Sequence, residues 1–342
     1  MTKNSVTKSS ELEAVQQILL VSIIVPNYNH AHFLPERLSS IRNQTFSNYE
    51  LIILDDASSD QSLSVIRAEL ADFPHQLIIN KQNSGSPCSQ WLKGIKQARG
   101  RYVWIAESDD SCSPDFLACM IDLINQGSNL AYCKSLAIDK NSNPLHEIPY
   151  WPSKHFPGQW QQAFRLPVKV FRQSYMLSVN CIPNASAVVF ERMPALACLD
   201  LADILAKKLY TGDWIFWIHL LGLLNGTVSY SSEELSFFRH HPASTRAVSD
   251  VKNTDRRRIR EYCQSVDWIL AQKISPGRIP WIRHTLGRDW EWIIVEYLLR
   301  INPSYFERFT FSGLSGSLAW SMPIRLCTRS FLRRLYLMAD FT

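Results

Sequence analysis

The chain has 342 residues, 46% hydrophobic and 20% charged, which excludes a disordered chain and is enough for one large domain or two ordinary ones. A net charge of +5 is too small to argue for nucleic acid, yet it is unevenly spread: from Lys252 onward 15 basic residues face 8 acidic ones, against 21 and 23 before. The eight cysteines form no C-x-x-C pair, so reduced thiols in a cytoplasm are expected.

Residues 1–19 are mostly polar and read as an extension; no apolar core follows their basic residues, so no secretory signal is expected. VSIIV (21–25), stopped by Pro26, is a buried strand, and residues 33–44 carry Phe33, Leu34, Leu38 and Ile41 at helical spacing. ELIIL (50–54) is a second strand, closed by DDASSD, where Ser59 or Asp60 can cap a helix through Leu70. QLIIN (76–80) is a third, followed by a helix to about Ala98 that Gly100 ends. RYVWIA (101–106) is a fourth, and Pro114 opens another helix. This alternation predicts an α/β fold, with a mostly parallel sheet flanked by helices.

NLAYCKSLAID reads as a further strand, whereas 150–185, rich in Pro, Trp and Gln, has no clear pattern. Residues 213–224 read as an apolar helix and TVSY (227–230) as a short strand. The apolar run 214–224 has eleven residues, against roughly 20 for a membrane span, so the chain is expected to be soluble or peripheral. From about residue 250 it reads as helices. There Arg325, Arg329, Arg333 and Arg334 interleave with Leu326, Phe331, Leu332, Leu335 and Leu337. That is the pattern of an interfacial helix on an anionic membrane, or of leucines packed inward with arginines in water.

In parallel sheets, ligands bind beyond the carboxyl ends of the strands. Three polar clusters fall there: Asn27 to Asn29, Asp55 with Asp56, and Asp109 with Asp110. VPNYNH has no glycine and no P-loop pattern occurs, so the dinucleotide fingerprint and the P-loop are both excluded. Adjacent carboxylates can hold Mg²⁺ or Mn²⁺ together with phosphate oxygens, although such residues also start helices. Together the clusters point to a nucleoside diphosphate.

Four ordered blocks then carry a resemblance: VPNYNHAHFLPERLSSIRNQTFSNYELIILDDASSD, NSGS, Gly94 with Ala98-Arg99-Gly100, and YVWIAESDD. They resemble the family-2 inverting glycosyltransferases of the GT-A fold, over roughly residues 20–240. The resemblance implies that Pro26, Asn27, Tyr28 and Asn29 line the nucleotide site and that Asp56 bonds the pyrimidine, favouring UDP or dTDP. It implies Asp109 near the ribose and Asp110 on the metal in the D-x-D role. Glu107 stands where many relatives have aspartate, and its role stays open.

Inverting transfer needs a carboxylate to take the acceptor proton. Thr211-Gly212-Asp213-Trp214 resembles the family's late acidic motif, which implies Asp213 as base; Asp213 also fits a helix N-cap. FFRHHPAST (237–245) resembles the segment that closes such sites, with Arg239 expected on the diphosphate and His241 as a further metal ligand or phosphate contact. His30 and His32 are read as structural.

The implied organisation is a GT-A domain over 20–248 and a helical basic region over 249–342. The implied reaction moves a sugar from a nucleoside-diphosphate sugar to a glycan or lipid-linked glycan, in bacterial surface polysaccharide synthesis. A non-catalytic nucleotide- or glycan-binding protein would not need Asp110 and Asp213 together. A sugar nucleotidyltransferase should carry a Gly-rich basic loop after its first strand.

Overall fold

The apolar runs have no polar alternation because both faces of their strands are covered. In the computed structural model, which describes residues 20–177, 179–242 and 244 together with 261, 264, 265, 268, 269 and 271, β1 (Val21–Asn27) lies between β2 (Tyr49–Asp55) and β4 (Tyr102–Ile105). All three are parallel, and β3 (Gln76–Ile79) pairs parallel with the outer side of β2. On one face Val21, Ile23, Val25, Leu51, Ile53 and Trp104 meet α1 (Leu34–Arg42) and α4 (Phe116–Asn125). On the other, Ile24, Ile52, Leu54, Val103 and Ile105 meet α3 (Pro87–Gln97) and α5 (Gly212–Leu223). Continuous hydrophobic strands are what such two-sided burial requires.

The second half of the sheet is mixed. β8 (Val188–Glu191) runs antiparallel between β4 and β6 (Ser128–Ile138), and β9 (Thr227–Arg239) lies parallel to β6. The far edge of β9 takes β5 (Ser111–Cys112) and β7 (Phe164–Pro167), both antiparallel. The expected α/β architecture, a mostly parallel sheet with flanking helices, is present. TVSY proves to be the start of the 13-residue β9. The short run at 188–191 becomes β8 only through its neighbours β4 and β6, so no local pattern marks it.

Helix starts follow local chemistry with small shifts. α2 (Ser62–Glu69) has Gln61, not Ser59 or Asp60, at its N-cap position, and Asp60 one residue earlier accepts from Ser62 N through Oδ1 at 2.9 Å. α5 is apolar all round and correspondingly buried. Its first residue must be glycine: a Cβ on Gly212 would stand 2.6 Å from Cys88 Sγ on α3. Among the described residues no helix is long and apolar enough to cross a membrane. The expectations for 1–19 and 325–338 lie outside the described residues.

Candidate active site

Register lines up three strand ends. Asn27 pairs with Asp55, and Asp55 with Ile79, so the loops after β1, β2 and β3 open at one edge. Buried Asn27 donates from Nδ2 to Asp55 Oδ1 at 2.9 Å, and its own Oδ1 is buried with no hydrogen-bond partner. Asp55 Oδ2 accepts from Ser58 N at 3.0 Å. Asn29, at φ 56°, accepts from Ser59 N at 2.7 Å through Oδ1, which ties the two loops together. Pro26 is buried within β1, while Tyr28 between the two asparagines is 46% exposed.

Asp56 is buried in a ring of donors. Ser84 Oγ donates to it at 2.7 Å, Gln90 Nε2 at 2.9 Å, Ser84 N at 3.0 Å and Asn80 Nδ2 at 2.5 Å. Asn80 and Gln90 are not among the expected site residues, since a polar residue just after a strand or in the first turn of a helix carries no signal of its own. Ser84 lay within the quoted NSGS block.

The loop after β4 is joined to the end of β9 by β5. Ser111 pairs with Phe237, and the ladder continues as Arg239 N donates to Asp110 Oδ1 at 3.0 Å. Two residues on, His241 Nε2 lies 3.0 Å from Asp109 Oδ2. His30, from the loop after β1, is hydrogen-bonded through Nδ1 with Ser108 Oγ at 2.8 Å. His30, Asp109 and His241 thus offer ligand-type atoms that all lie within 4.8 Å of one another. Two imidazoles and one carboxylate suit a divalent ion of borderline softness, Mn²⁺ included.

Asp110, expected on the metal, accepts from Ser186 Oγ at 2.6 Å and from Arg239 N at 3.0 Å and stands beside the cluster rather than in it. Asp109 and His30, the latter expected to be structural, are the residues that lie with His241. Arg239, expected on the diphosphate, spends its fork internally. It donates to Asp109 O at 2.7 Å, Asp139 O at 3.0 Å, Ser142 Oγ at 2.9 Å and Glu36 at 2.6 Å, over the Phe33 ring. A planar fork with four such acceptors is a strut for Asp109.

Three carboxyl groups within four residues cannot all carry charge cheaply. Burial pushes Glu107 up to about 8, with the charge of Asp109 acting the same way and the Trp91 Nε1 hydrogen bond at 2.6 Å opposing. Burial, then Asp109, likewise raises Asp110. Burial also works against ionised Asp109, but its bond to His241 and the neighbouring imidazoles outweigh that and hold it below the ordinary carboxylate value. Burial lowers the His30 imidazole from its ordinary value, with Asp109 opposing.

Asp213 is the second residue of α5, with Thr211 rather than Asp213 at the N-cap position. Its oxygens accept from Trp214 N at 2.7 Å and from Asn180 Nδ2 at 2.8 Å. In the first turn of a helix, the backbone dipole favours a carboxylate. Asn180 lies in the stretch the sequence left unread, and only the fold brings it to Asp213.

The sheet and the polar clusters along its edge have the architecture of an α/β fold with its candidate site beyond the strand ends. The family model described as glycosyl transferase family 2 matches residues 22–177. A glycosyltransferase of Haemophilus influenzae is 31% identical over 219 residues, covering 58% of this chain and 87% of that one. The chain therefore belongs to glycosyltransferase family 2. Chondroitin synthase of Escherichia coli is 28% identical over 144 residues, 42% of this chain and 21% of that larger protein. Among solved structures, the mannosyltransferase PcManGT of Pyrobaculum calidifontis, in complex with GDP-Man and Mn²⁺, has a TM-score of 0.54 at 17% identity. The match covers 81% of this chain and 72% of that one, and supports the GT-A fold.

Proposed function

We propose that this glycosyltransferase inverts the anomeric centre of a nucleoside-diphosphate sugar, passing the sugar to a hydroxyl of a glycan or lipid-linked glycan. The acceptor hydroxyl gives its proton to the Asp213 carboxylate as its oxygen bonds to the anomeric carbon. The bond from that carbon to the diphosphate oxygen breaks, and the electron pair leaves with the nucleoside diphosphate. Asp56 and the Pro26–Asn29 segment hold the nucleotide. Asp109, His241 and His30 would hold Mn²⁺ or Mg²⁺, which would supply positive charge against the departing diphosphate. Arg239 keeps the Asp109 backbone fixed, and Asp110 secures the turn through Ser186. Chondroitin synthase among the relatives supports a polysaccharide acceptor. The reaction is placed on the cytoplasmic side, where sugar nucleotides are made.

The observation that carries this reading is the convergence of His30, Asp109 and His241, from three separate loops, on one small volume. The test is calorimetric titration with Mn²⁺ in the presence of a UDP- or GDP-sugar. Asp109→Asn and His241→Ala are expected to weaken Mn²⁺ by at least tenfold and Asp110→Asn by much less. Equal loss for Asp109→Asn and Asp110→Asn would return the ligand to Asp110, and full activity in excess chelator would remove the metal altogether.

A further inference from the structure

The loop before α5, whose Lys208 O accepts from Ser86 Oγ at 3.3 Å, is also bonded to residues beyond the expected end of the catalytic domain. Leu209 N and Tyr210 N donate to the same oxygen of Glu261, at 2.9 and 2.8 Å. Thr211 Oγ1 is hydrogen-bonded with Ser265 Oγ at 2.8 Å, and Lys208 Nζ donates to Gln264 Oε1 at 2.6 Å. Ile269 is fully buried in the core that contains α5, with Trp268 packed against it. Residues 261, 264, 265, 268 and 269 are all helical, and their spacing puts them on one helix face. Four consecutive loop residues, 208 to 211, are therefore gripped by that face, and the chain reaches Asp213 two residues later.

Glu261 is itself 4% exposed, so little water competes for its oxygen. Two backbone N–H groups on one buried carboxylate make a charge-assisted clamp, stronger than bonds to a neutral side chain. The loop needs such a clamp because its own sequence, Lys207-Lys208-Leu209-Tyr210, gives it no turn chemistry. Asp213, Glu107 and Glu261 all act electrostatically on the Cys88 thiol, which puts the clamp in the same neighbourhood as the acid cluster.

We propose that Glu261 is a positioning residue for Asp213, and that Glu261, Gln264 and Ser265 are a working part of the active site rather than of an appended region. This rests on the reading of Asp213 as base. A base displaced by about 1 Å can lose on the order of 10²-fold in rate while the donor still binds. The clamp should therefore act on kcat rather than on nucleotide affinity.

The experiment uses the full chain and the sugar nucleotide that gives the largest thermal shift with Mn²⁺, from a UDP-, GDP- and dTDP-sugar panel. Release of nucleoside diphosphate is followed well below the unfolding midpoint of each variant. Glu261→Ala is expected to lower kcat by about 10–100-fold with donor Kd within about twofold, and Glu261→Gln, which keeps an acceptor oxygen, to recover part of it. Added to Asp213→Asn, Glu261→Ala should cost nothing further, because the group it positions is gone. Full kcat in folded Glu261→Ala, a collapse of donor affinity, or an equal loss in the Asp213→Asn background would each overturn the proposal. Should Glu261→Ala not fold, Glu261→Gln and Ser265→Ala decide, and full kcat in both would overturn it. If Asp213→Asn alone kept its activity, the base reading would fall, an outcome distinct from a failure of the clamp.

Discussion

The two halves of the sheet hold their functional side chains by different means. From β1 to β4, each polar group follows its strand directly, and the parallel register lines up Asn27, Asp55 and the start of the Asp56 loop. From β6 onward nothing comparable is local. His241 reaches Asp109 only because β5 pairs with β9, and Asp213 is held by Asn180 and by the loop that Glu261 clamps. In the proposed reaction the first half serves as a preformed nucleotide shelf, and the second half, assembled by long-range contacts, supplies the base.

This contrast predicts that substitutions at Asp213 and the residues that hold it will hurt turnover while sparing donor affinity. The largest expected effect is at Asp213. Asp213→Asn should lower kcat by roughly 10²–10⁴-fold, the usual worth of a general base, with donor Kd nearly unchanged. Calorimetry run beside a turnover assay separates the two. If donor binding fell together with turnover, Asp213 would be a structural member of the first turn of α5, and the division between the halves would fail.

The same contrast explains what the sequence could show. VSIIV, ELIIL and RYVWIA are buried on both faces, so their composition alone marks them as strands, and the acids at their ends follow. β8 has four residues and is a strand because β4 and β6 flank it. Asp109 and Asp110 are adjacent and chemically identical in sequence. Only Ser186 and Arg239 N, 76 and 129 residues away, show that the second acid is already engaged. His30 was visible but undistinguished, since its partners Ser108 and Asp109 come from the loop after β4.

On the shelf itself, Asp56 should decide the base. A buried polar group left without its partner costs about 1–3 kcal/mol, so UDP should bind at least fivefold more tightly than ADP. Asp56→Asn should erase most of that preference and leave metal affinity intact, as competition binding would show. Asp56 already accepts from Asn80, Ser84 and Gln90, so it is rigidly aimed and cannot swing to suit a purine. Equal affinity for UDP and ADP in the unaltered protein would remove Asp56 from base recognition.

Glu107 sits at the seam: its N–H donates to Ser186 Oγ at 3.0 Å, and Arg37 Nε donates to its carbonyl at 2.8 Å. Its folded pKa, about 8, lies above the ordinary value of 4.5, so the folded chain keeps a proton that the unfolded chain has lost. The stability linked to that proton is full below pH 4.5 and drains away as pH rises towards 8. In chelator, the thermal midpoint should fall across that window, and Glu107→Gln should remove most of the fall, which is linked to at most about 5 kcal/mol. An unchanged slope in Glu107→Gln would mean that the seam titrates through Asp110 instead.

The smallest expected effect lies furthest from the shelf. In the proposed reaction a preformed nucleotide site does nothing to gather a lipid-linked acceptor, and we propose that the basic excess of the later chain serves that task. Arg325, Arg329, Arg333 and Arg334 alternate with leucines and a phenylalanine, and each basic group near an anionic leaflet is worth about 1 kcal/mol. Four together hold a protein at a membrane weakly and reversibly, and salt should weaken them because exposed charges are screened. Sedimentation with anionic liposomes at low salt should pellet the full chain. Neutral liposomes, added salt or removal of residues 325–342 should each return it to the supernatant. Equal recovery with both lipids would assign those leucines to packing, and acceptor capture would then have to come from the protein surface around Asp213.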